Sequence, residues 1–435
     1  VTTARGKGRA TTGREVAADV VARVLGESSW IAPTLDRALA RAALPAPEAA
    51  RATDLSYGAV RALAAIDAEI DRHRPKKKPI EPFTHAVLAV SVAELASHPD
   101  RAHAIVSSAV GLVKRERGEG MARFVNAILR RVSSGPLALG ARLRPAVRAS
   151  IARGVGEARM AAVEASLALP PWLGLRAEID RDALARRISE ARAGAEVRLG
   201  ALAPQAVLVR SAGDPRELPG YAEGAFGVQE EGSQLLALLA EARAGERVVD
   251  ACAGHGGKTA VLARAVGEHG RVVALDLHEA KLARIAPELA RLGLSRVPLE
   301  TRAADLTVGV AGLAPRGFDR VLVDAPCTGL GTLARRPEIA LRVGSDDPAR
   351  LAKTQLAILT NAATLVKPGG GLVYAVCSPT QEEGAGVVRA FLDAHPGARL
   401  SAPPSADPDG IVRVGPWADP HLIADQYQAA VFTID

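Results

Sequence analysis

Residues Arg247 to Asp276 read RVVDACAGHGGKTAVLARAVGEHGRVVALD. A short apolar run rich in valine gives way to a glycine-rich turn. A stretch with apolar residues three and four apart, KTAVLARAV, follows, and a second apolar run, GRVVALDL, closes the unit. Short apolar runs alternating with helical periodicity predict parallel strands covered on both faces by helices. The rhythm extends from about Phe226 to Asp435. Further strands are expected in PLETRAADL, DRVLVDAP, GGLVYAVC and AAVFTI, with helices such as EAKLARIAPELARL and AGVVRAFLDAH between them. Residues 226–435 are therefore expected to form a Rossmann-like, doubly wound α/β domain.

Upstream the pattern differs. Residues 1–13 read as a disordered basic tail. From 14 to 140, segments such as EVAADVVARVL, FTHAVLAVSVAELA and MARFVNAILRRV carry helical periodicity throughout, predicting an all-α domain. HRPKKKP, from His73 to Pro79, is a basic, proline-broken loop, and SSGPLALG, from Ser133 to Gly140, is a plausible linker. Residues 141–225 mix WLGLRAEI, DRDALARRISEA and AVLVR, which suggests a small α/β lobe. The chain is thus read as multidomain, in three folded parts.

Composition narrows the setting. Three cysteines in 435 residues, an odd number widely spaced, do not make a disulfide framework, and a reducing cytoplasm is expected. The opening VTTARGKGRATTGR lacks an apolar core and is not read as a signal peptide. No run of 18 apolar residues occurs, so no membrane span or membrane partner is expected. The net charge of +7 is uneven: residues 1–150 hold 24 Lys and Arg against 14 Asp and Glu, a surplus of ten, which leaves −3 for the rest. A basic front and a near-neutral back suggest a polyanion-binding module joined to a catalytic one, with RNA the expected partner and DNA not expected.

The chemistry-bearing residues sit at strand ends. Cys252 follows RVVDA, Cys327 ends VLVDAPC and Cys377 ends LVYAVC. In open α/β sheets that edge is the ligand crevice, so the three thiols are expected to face it. The turn Cys252, Ala253, Gly254, His255, Gly256, Gly257, Lys258 fits neither of two familiar phosphate cradles. A P-loop needs glycine at position 252, and a dinucleotide fingerprint needs glycine at 259, which is Thr259. Asp276 ends the second strand, where an acid grips ribose hydroxyls, and Asp305 ends a third, placed for an adenine amino group. A nucleoside held without phosphate ligands points to S-adenosylmethionine. A thiolate joined to that cofactor points in turn to methylation of cytosine C5, because thiol addition at C6 makes C5 nucleophilic. Asp324 is placed to contact the pyrimidine N3 edge. The cysteine spacings of 75 and 50 residues carry no paired-ligand pattern, so no metal is expected.

These residues resemble the RsmB/Sun branch of the NOL–NOP–Sun family of RNA 5-methylcytosine methyltransferases. The resemblance rests on DACAGHGGKT, ALDLHEAKL, VLVDAPCTGLGTLARRPEI, LVYAVCSPTQEE and GAFGVQEEGSQLL. LSYGAVRAL and FVNAILRRV resemble the NusB-like helical domain fused to that branch, and PPWLGLRAEIDRDAL resembles its small RNA-binding lobe. The resemblance implies that Cys377 attacks the base and Cys327 assists release. It also implies a cofactor and base pocket of residues 252–258 with Asp276, Asp305 and Asp324, and small-subunit ribosomal RNA as substrate. Arg176, Arg335 and Arg336 are candidate RNA contacts, Trp172 lies in the lobe, and a monomer is expected. Departures from the family pattern occur at His255, Glu178, Val376 and Gly384, and in DQYQAAVF, where D-G-F-F-A is usual. Two other readings stand: the same chemistry on transfer RNA, and a non-catalytic RNA-binding factor.

Overall fold

The computed structural model describes residues 12–74, 78–140, 143–167, 169–310, 312–419 and 425–435. Residues 1–11 of the expected basic tail and 75–77 of the basic loop lie outside them. Gly13, assigned from sequence to that tail, already opens a helix, which Thr12 and Glu15 close with reciprocal capping bonds. The chain divides into two compact units, Val1–Pro145 with Arg336–Arg342, and Ala146–Arg335 with Val343–Asp435.

The first unit is helical, with no strand among its described residues. Its α-helices are Gly13–Gly26, Ile31–Ala42, Ala46–Arg61, Leu63–Arg72, Pro82–Ser97, Ala102–Arg117, Glu119–Val132 and the short Ile339–Arg342. The stretch ATDLSYGAVRALAAIDAEI, which the periodicity runs together, is two helices parted at Ala62. Pro82–Ser97 is the core helix. It is apolar all round and every residue from Ala86 to Leu95 is buried, as expected of a helix surrounded by others. Its one buried acid, Glu94, is met by Arg14 at 2.6 Å and by Arg51. Burial raises this carboxyl, but the two guanidinium groups outweigh it and hold it below its ordinary value. The segment Arg336–Arg342 belongs to this unit. Glu338 accepts the Ile31 N–H at 3.1 Å, which satisfies a free donor at a helix start, and Arg342 lies over the Trp30 ring.

The second unit begins at Ala146, within helix Pro145–Val155, and continues through helix Glu157–Leu167 into two sheets. The smaller is antiparallel. Its strands are β1 (Leu173–Ala177), β2 (Glu196–Leu199), β3 (Ala206–Arg210) and β4 (Phe226–Val228), in the order β2-β3-β1-β4, with helix Arg181–Ala191 packed on it. Two of these strands are illegible in the sequence: β2 is four residues long and largely exposed, and β4 is three. Phe226–Val228, read from sequence as the entry to the larger domain, instead completes the small sheet by pairing with β1.

The larger sheet holds β5 (Arg247–Asp250), β6 (Arg271–Asp276), β7 (Leu299–Ala303), β8 (Phe318–Asp324), β9 (Val366–Val376), β10 (Ala398–Ser401), β11 (Val412–Val414) and β12 (Tyr427–Ile434). Its order is β10-β12-β9-β8-β5-β6-β7, with β11 paired to β12. β5 to β9 are parallel, and β12 returns antiparallel to β9. The chain runs outward from β5 to β7, crosses back to β8, and runs outward the other way to β9. The strand order therefore reverses between β5 and β8, which opens a crevice beyond their carboxyl ends. No helix among the described residues is long and apolar enough to cross a membrane.

Candidate active site

Three loops converge on that crevice: the glycine turn after β5, the DAPC loop after β8 and the loop that begins at Cys377 after β9. Sheet register brings the last two together, since Asp324 pairs with Ala375. The Cys327 and Cys377 sulfurs end 3.2 Å apart. The hydrogen bond with Cys377 and burial, aided by the Cys377 and Glu383 charges, push the Cys327 thiol well above its ordinary value. Cys252 is different. Burial and the charges of Asp324, Asp250 and Asp276 push its thiol up, so it stands in the pocket as a neutral group. Among the described residues no group of His, Cys, Asp and Glu could hold a metal ion.

Lys258 opens the helix Gly257–Val266, and its Nζ donates to Asp324 Oδ2 at 2.6 Å. Burial lowers this ammonium, but Asp324, Asp250 and Cys377 outweigh it and keep it charged. A cation is thus placed to act on both the Asp324 carboxylate and the Cys377 sulfur. Asp250, wholly buried at the end of β5, accepts the Thr259 hydroxyl at 2.7 Å, while its other oxygen has no partner. Burial, with help from the Asp324 and Asp276 charges, pushes this carboxyl up to about 6. The folded value is raised, so the stability Asp250 contributes is full below the unfolded value and is lost as pH rises through about 6. Asp250→Asn should therefore stabilise the fold at pH 8 by on the order of 1–3 kcal/mol and not at pH 4. Denaturant unfolding at both pH values checks this, and an equal change at both would remove the assignment.

The cofactor side fits a nucleoside. Gly254 (φ 56°) and Gly256 (φ 86°) take the left-handed conformation that favours glycine, and nothing lies within 4 Å of where a Gly254 Cβ would be. Asp276 accepts the Gly254 N–H at 3.0 Å and the His278 N–H at 2.9 Å. Burial raises its carboxyl, but these amides and Lys281 outweigh burial and hold it below its ordinary value. An ionised acid thus stands beside an open turn of backbone, the donor and acceptor set that a ribose requires. His255 is exposed on that turn. Asp305 is also exposed, two residues beyond the end of β7, and its carboxylate accepts the Thr307 N–H and hydroxyl at 2.9 and 2.6 Å.

Two arginines read from sequence as RNA contacts are used inside the protein. Arg176 is 6 % exposed; it pairs with Glu178 at 2.8 Å, meets Gln229, and donates to the Gly257 carbonyl at 2.8 Å. It braces the glycine turn from behind. Glu178, the departure beside it, also pairs with Arg264 and so ties β1 to the helix after that turn. Arg335 donates to Asp425 at 2.7 Å and to the Trp172 carbonyl at 2.6 Å, which fastens the end of the Cys327 loop. Arg336 is exposed. Trp172 is lobe core at 3 % exposure, with the Arg210 guanidinium 4.2 Å above its ring. Val376 is a fully buried β9 residue. The departures at Gly384 and Gln428 meet in space. A Cβ at Gly384 would overlap the Gln428 amide, which donates to the Ser378 and Thr380 carbonyls at 2.9 and 2.8 Å. The glycine makes room for a glutamine that steadies the Cys377 loop.

A family model described as 16S rRNA methyltransferase RsmB/F matches residues 237–419, and a NusB family model matches residues 11–134. The chain is 37 % identical over 371 residues to "Ribosomal RNA small subunit methyltransferase B" of Thermus thermophilus, covering 83 % of each chain. It belongs to the RsmB/F family. The RsmB/F chain is a methyltransferase, and its cofactor is S-adenosylmethionine. "Probable ribosomal RNA small subunit methyltransferase B" of Bacillus subtilis is 33 % identical over 361 residues, 79 % of this chain and 80 % of that one. In fold, the RsmB/F chain is similar to the crystal structure of PH0851, with a TM-score of 0.78 and 22 % identity over 98 % of this chain and 100 % of that one. It is also similar to NSun6 from Pyrococcus horikoshii with SFG, with a TM-score of 0.57 and 17 % identity over 67 % of this chain and 98 % of that one.

Proposed function

We propose that this methyltransferase forms 5-methylcytosine in small-subunit ribosomal RNA through a covalent adduct with Cys377. The observation that carries the reading is the pair of thiols 3.2 Å apart, beside a charged lysine–aspartate pair at the strand-order reversal. The printed names of the relatives from Thermus thermophilus and Bacillus subtilis support the substrate.

Cys377 adds to C6 of the cytosine, which makes C5 nucleophilic. Bound S-adenosylmethionine supplies the methyl group. N3 takes up the proton that the Cys377 thiol gives up on adding, and Asp324, held by Lys258, accepts from the N3–H and the amino group of the adduct. Cys327 loses its own proton to water and, as the thiolate, takes the C5 proton; the electron pair of the C6–S bond leaves with Cys377, which recovers the N3 proton. The target base must leave its stack to reach both sulfurs, so a loop or flipped nucleotide is the expected substrate.

Asp276 holds the ribose in this reading. Asp276→Ala is expected to weaken cofactor binding by about 10- to 100-fold, the loss of a charge-assisted pair of hydrogen bonds. Calorimetric titration with S-adenosylhomocysteine measures this; unchanged affinity would place the ribose elsewhere. Substrate identity is tested by bisulfite sequencing of ribosomal and transfer RNA from cells with and without the gene. One cytosine losing protection in small-subunit RNA is the expected result. A lost site in transfer RNA would overturn the substrate and keep the chemistry.

A further inference from the structure

Glu383 is buried to 0 % exposure, yet among the described residues no lysine or arginine side chain bonds to it. Its partners are five neutral donors. Oε1 accepts the Thr328 N–H at 2.7 Å and the Gln355 amide at 3.0 Å. Oε2 accepts the hydroxyls of Thr328 at 2.6 Å, Ser378 at 2.5 Å and Thr380 at 3.0 Å. Thr328 directly follows Cys327, and Ser378 directly follows Cys377. One carboxylate thus ties together the residues next to both thiols.

The surroundings lock it in that pose. Glu383 lies on a single π-helical turn, Glu382–Gly386, a geometry that re-aims one side chain out of the helical rows. The Tyr374 hydroxyl lies 2.6 Å from the Glu383 carbonyl and 2.9 Å from Gln355 Oε1. Gln355 also donates to the Pro326 carbonyl at 3.0 Å, on the other side of Cys327. Removing a partner from a fully connected buried network leaves donors unsatisfied, so such a network specifies one geometry.

We propose that Glu383 is the positioning residue of the two-thiol centre: its carboxylate binds the Cys327 loop to the Cys377 loop and sets the distance across which the two sulfurs act on one base. It touches neither the base nor the methyl donor. This assignment deepens the function proposed above and rests on it for the role of each sulfur. The Glu383 charge is also among those that push the Cys327 thiol up, so that its thiolate, once formed, is the stronger base.

Glutamine is nearly isosteric with glutamate, but its amide nitrogen cannot accept the hydroxyls that meet at Oε2. Glu383→Gln is expected to lower kcat by about 100-fold, the scale that small misplacements of reacting groups produce, with cofactor affinity unchanged within about twofold. Spacing is read without RNA by capture of phenylarsine oxide, a trivalent arsenical that bonds two neighbouring sulfurs at once. The unmodified protein should retain one equivalent against a monothiol wash, and Glu383→Gln should release it at least about tenfold faster. Cys377→Ala, which removes one sulfur, sets the baseline. Thr328→Val and Ser378→Ala provide a second route should Glu383→Gln not fold. Each is expected to lower kcat and speed arsenical release, and the two effects should be non-additive because both bonds end on one oxygen. Wild-type release rates and kcat in Glu383→Gln, or in both hydroxyl variants, overturn the assignment. Faster arsenical release from Glu383→Gln, with no methylated cytosine formed even by the unmodified enzyme, would overturn the proposed reaction and leave the positioning role standing.

Discussion

Cys377→Ala abolishes methyl transfer. The expected fall in single-turnover rate is on the order of 10⁴- to 10⁶-fold, the range seen when a covalent nucleophile is removed from a preassembled site. The magnitude follows from the chemistry, since without a sulfur at C6 the ring carbon C5 has no lone pair to offer the methyl group. Alanine costs little elsewhere. The Cys377 carbonyl accepts the Gly331 N–H at 3.0 Å through backbone alone, and Lys258 keeps its bond to Asp324. Cofactor and RNA affinity should therefore stay within about twofold, given that a lost interaction in the reacting state need not alter ground-state binding. Labelled methyl incorporation measures the rate. Persistent transfer above about one part in a hundred would assign the nucleophile to another group.

Cys327→Ala produces the opposite sign in one observable. Addition of Cys377 and methyl transfer proceed, but the C5 proton has no base 3.2 Å from the attacking sulfur, and the C6–S bond stays intact. A protein–RNA species stable to denaturing electrophoresis should accumulate in the presence of cofactor, at least about tenfold above the unmodified enzyme, since a lost general base costs on the order of 10²–10⁴ in its step. The double variant Cys327→Ala with Cys377→Ala should give no such band. A band in the double variant, or none in the single one, removes the release role from Cys327.

The α/β rhythm, the helical front and the strand-end positions of the three cysteines were all legible along the chain, because each is written in local periodicity and in turn residues. The short strands were not. β2 and β4 have too few residues to show alternation, and β4 exists because β1 offers it an unpaired edge. The internal bonds of Arg176 and Arg335 were illegible for a related reason. A basic residue near an RNA-binding motif reads as a surface contact, yet each has a buried carboxylate partner, Glu178 and Asp425, that no spacing rule pairs with it. Glu383 did carry a local signal, since Thr380-x-x-Glu383 has the form of a helix cap. That pattern gives no hint of its bonds to Thr328, fifty-five residues away.

Sequence alone determined which chemistry this protein can attempt. A glycine turn without phosphate ligands, acids at strand ends and two thiols after Asp-Ala-Pro and Tyr-Ala-Val are properties of residue type and order. Tertiary structure decided how the thiols meet, which acid is held ionised, and which charged side chains bond within the protein. Those outcomes depend on sheet register and on burial, where a neighbour's charge or a missing partner changes what a group can do. Neither is set by the residues adjacent in the chain.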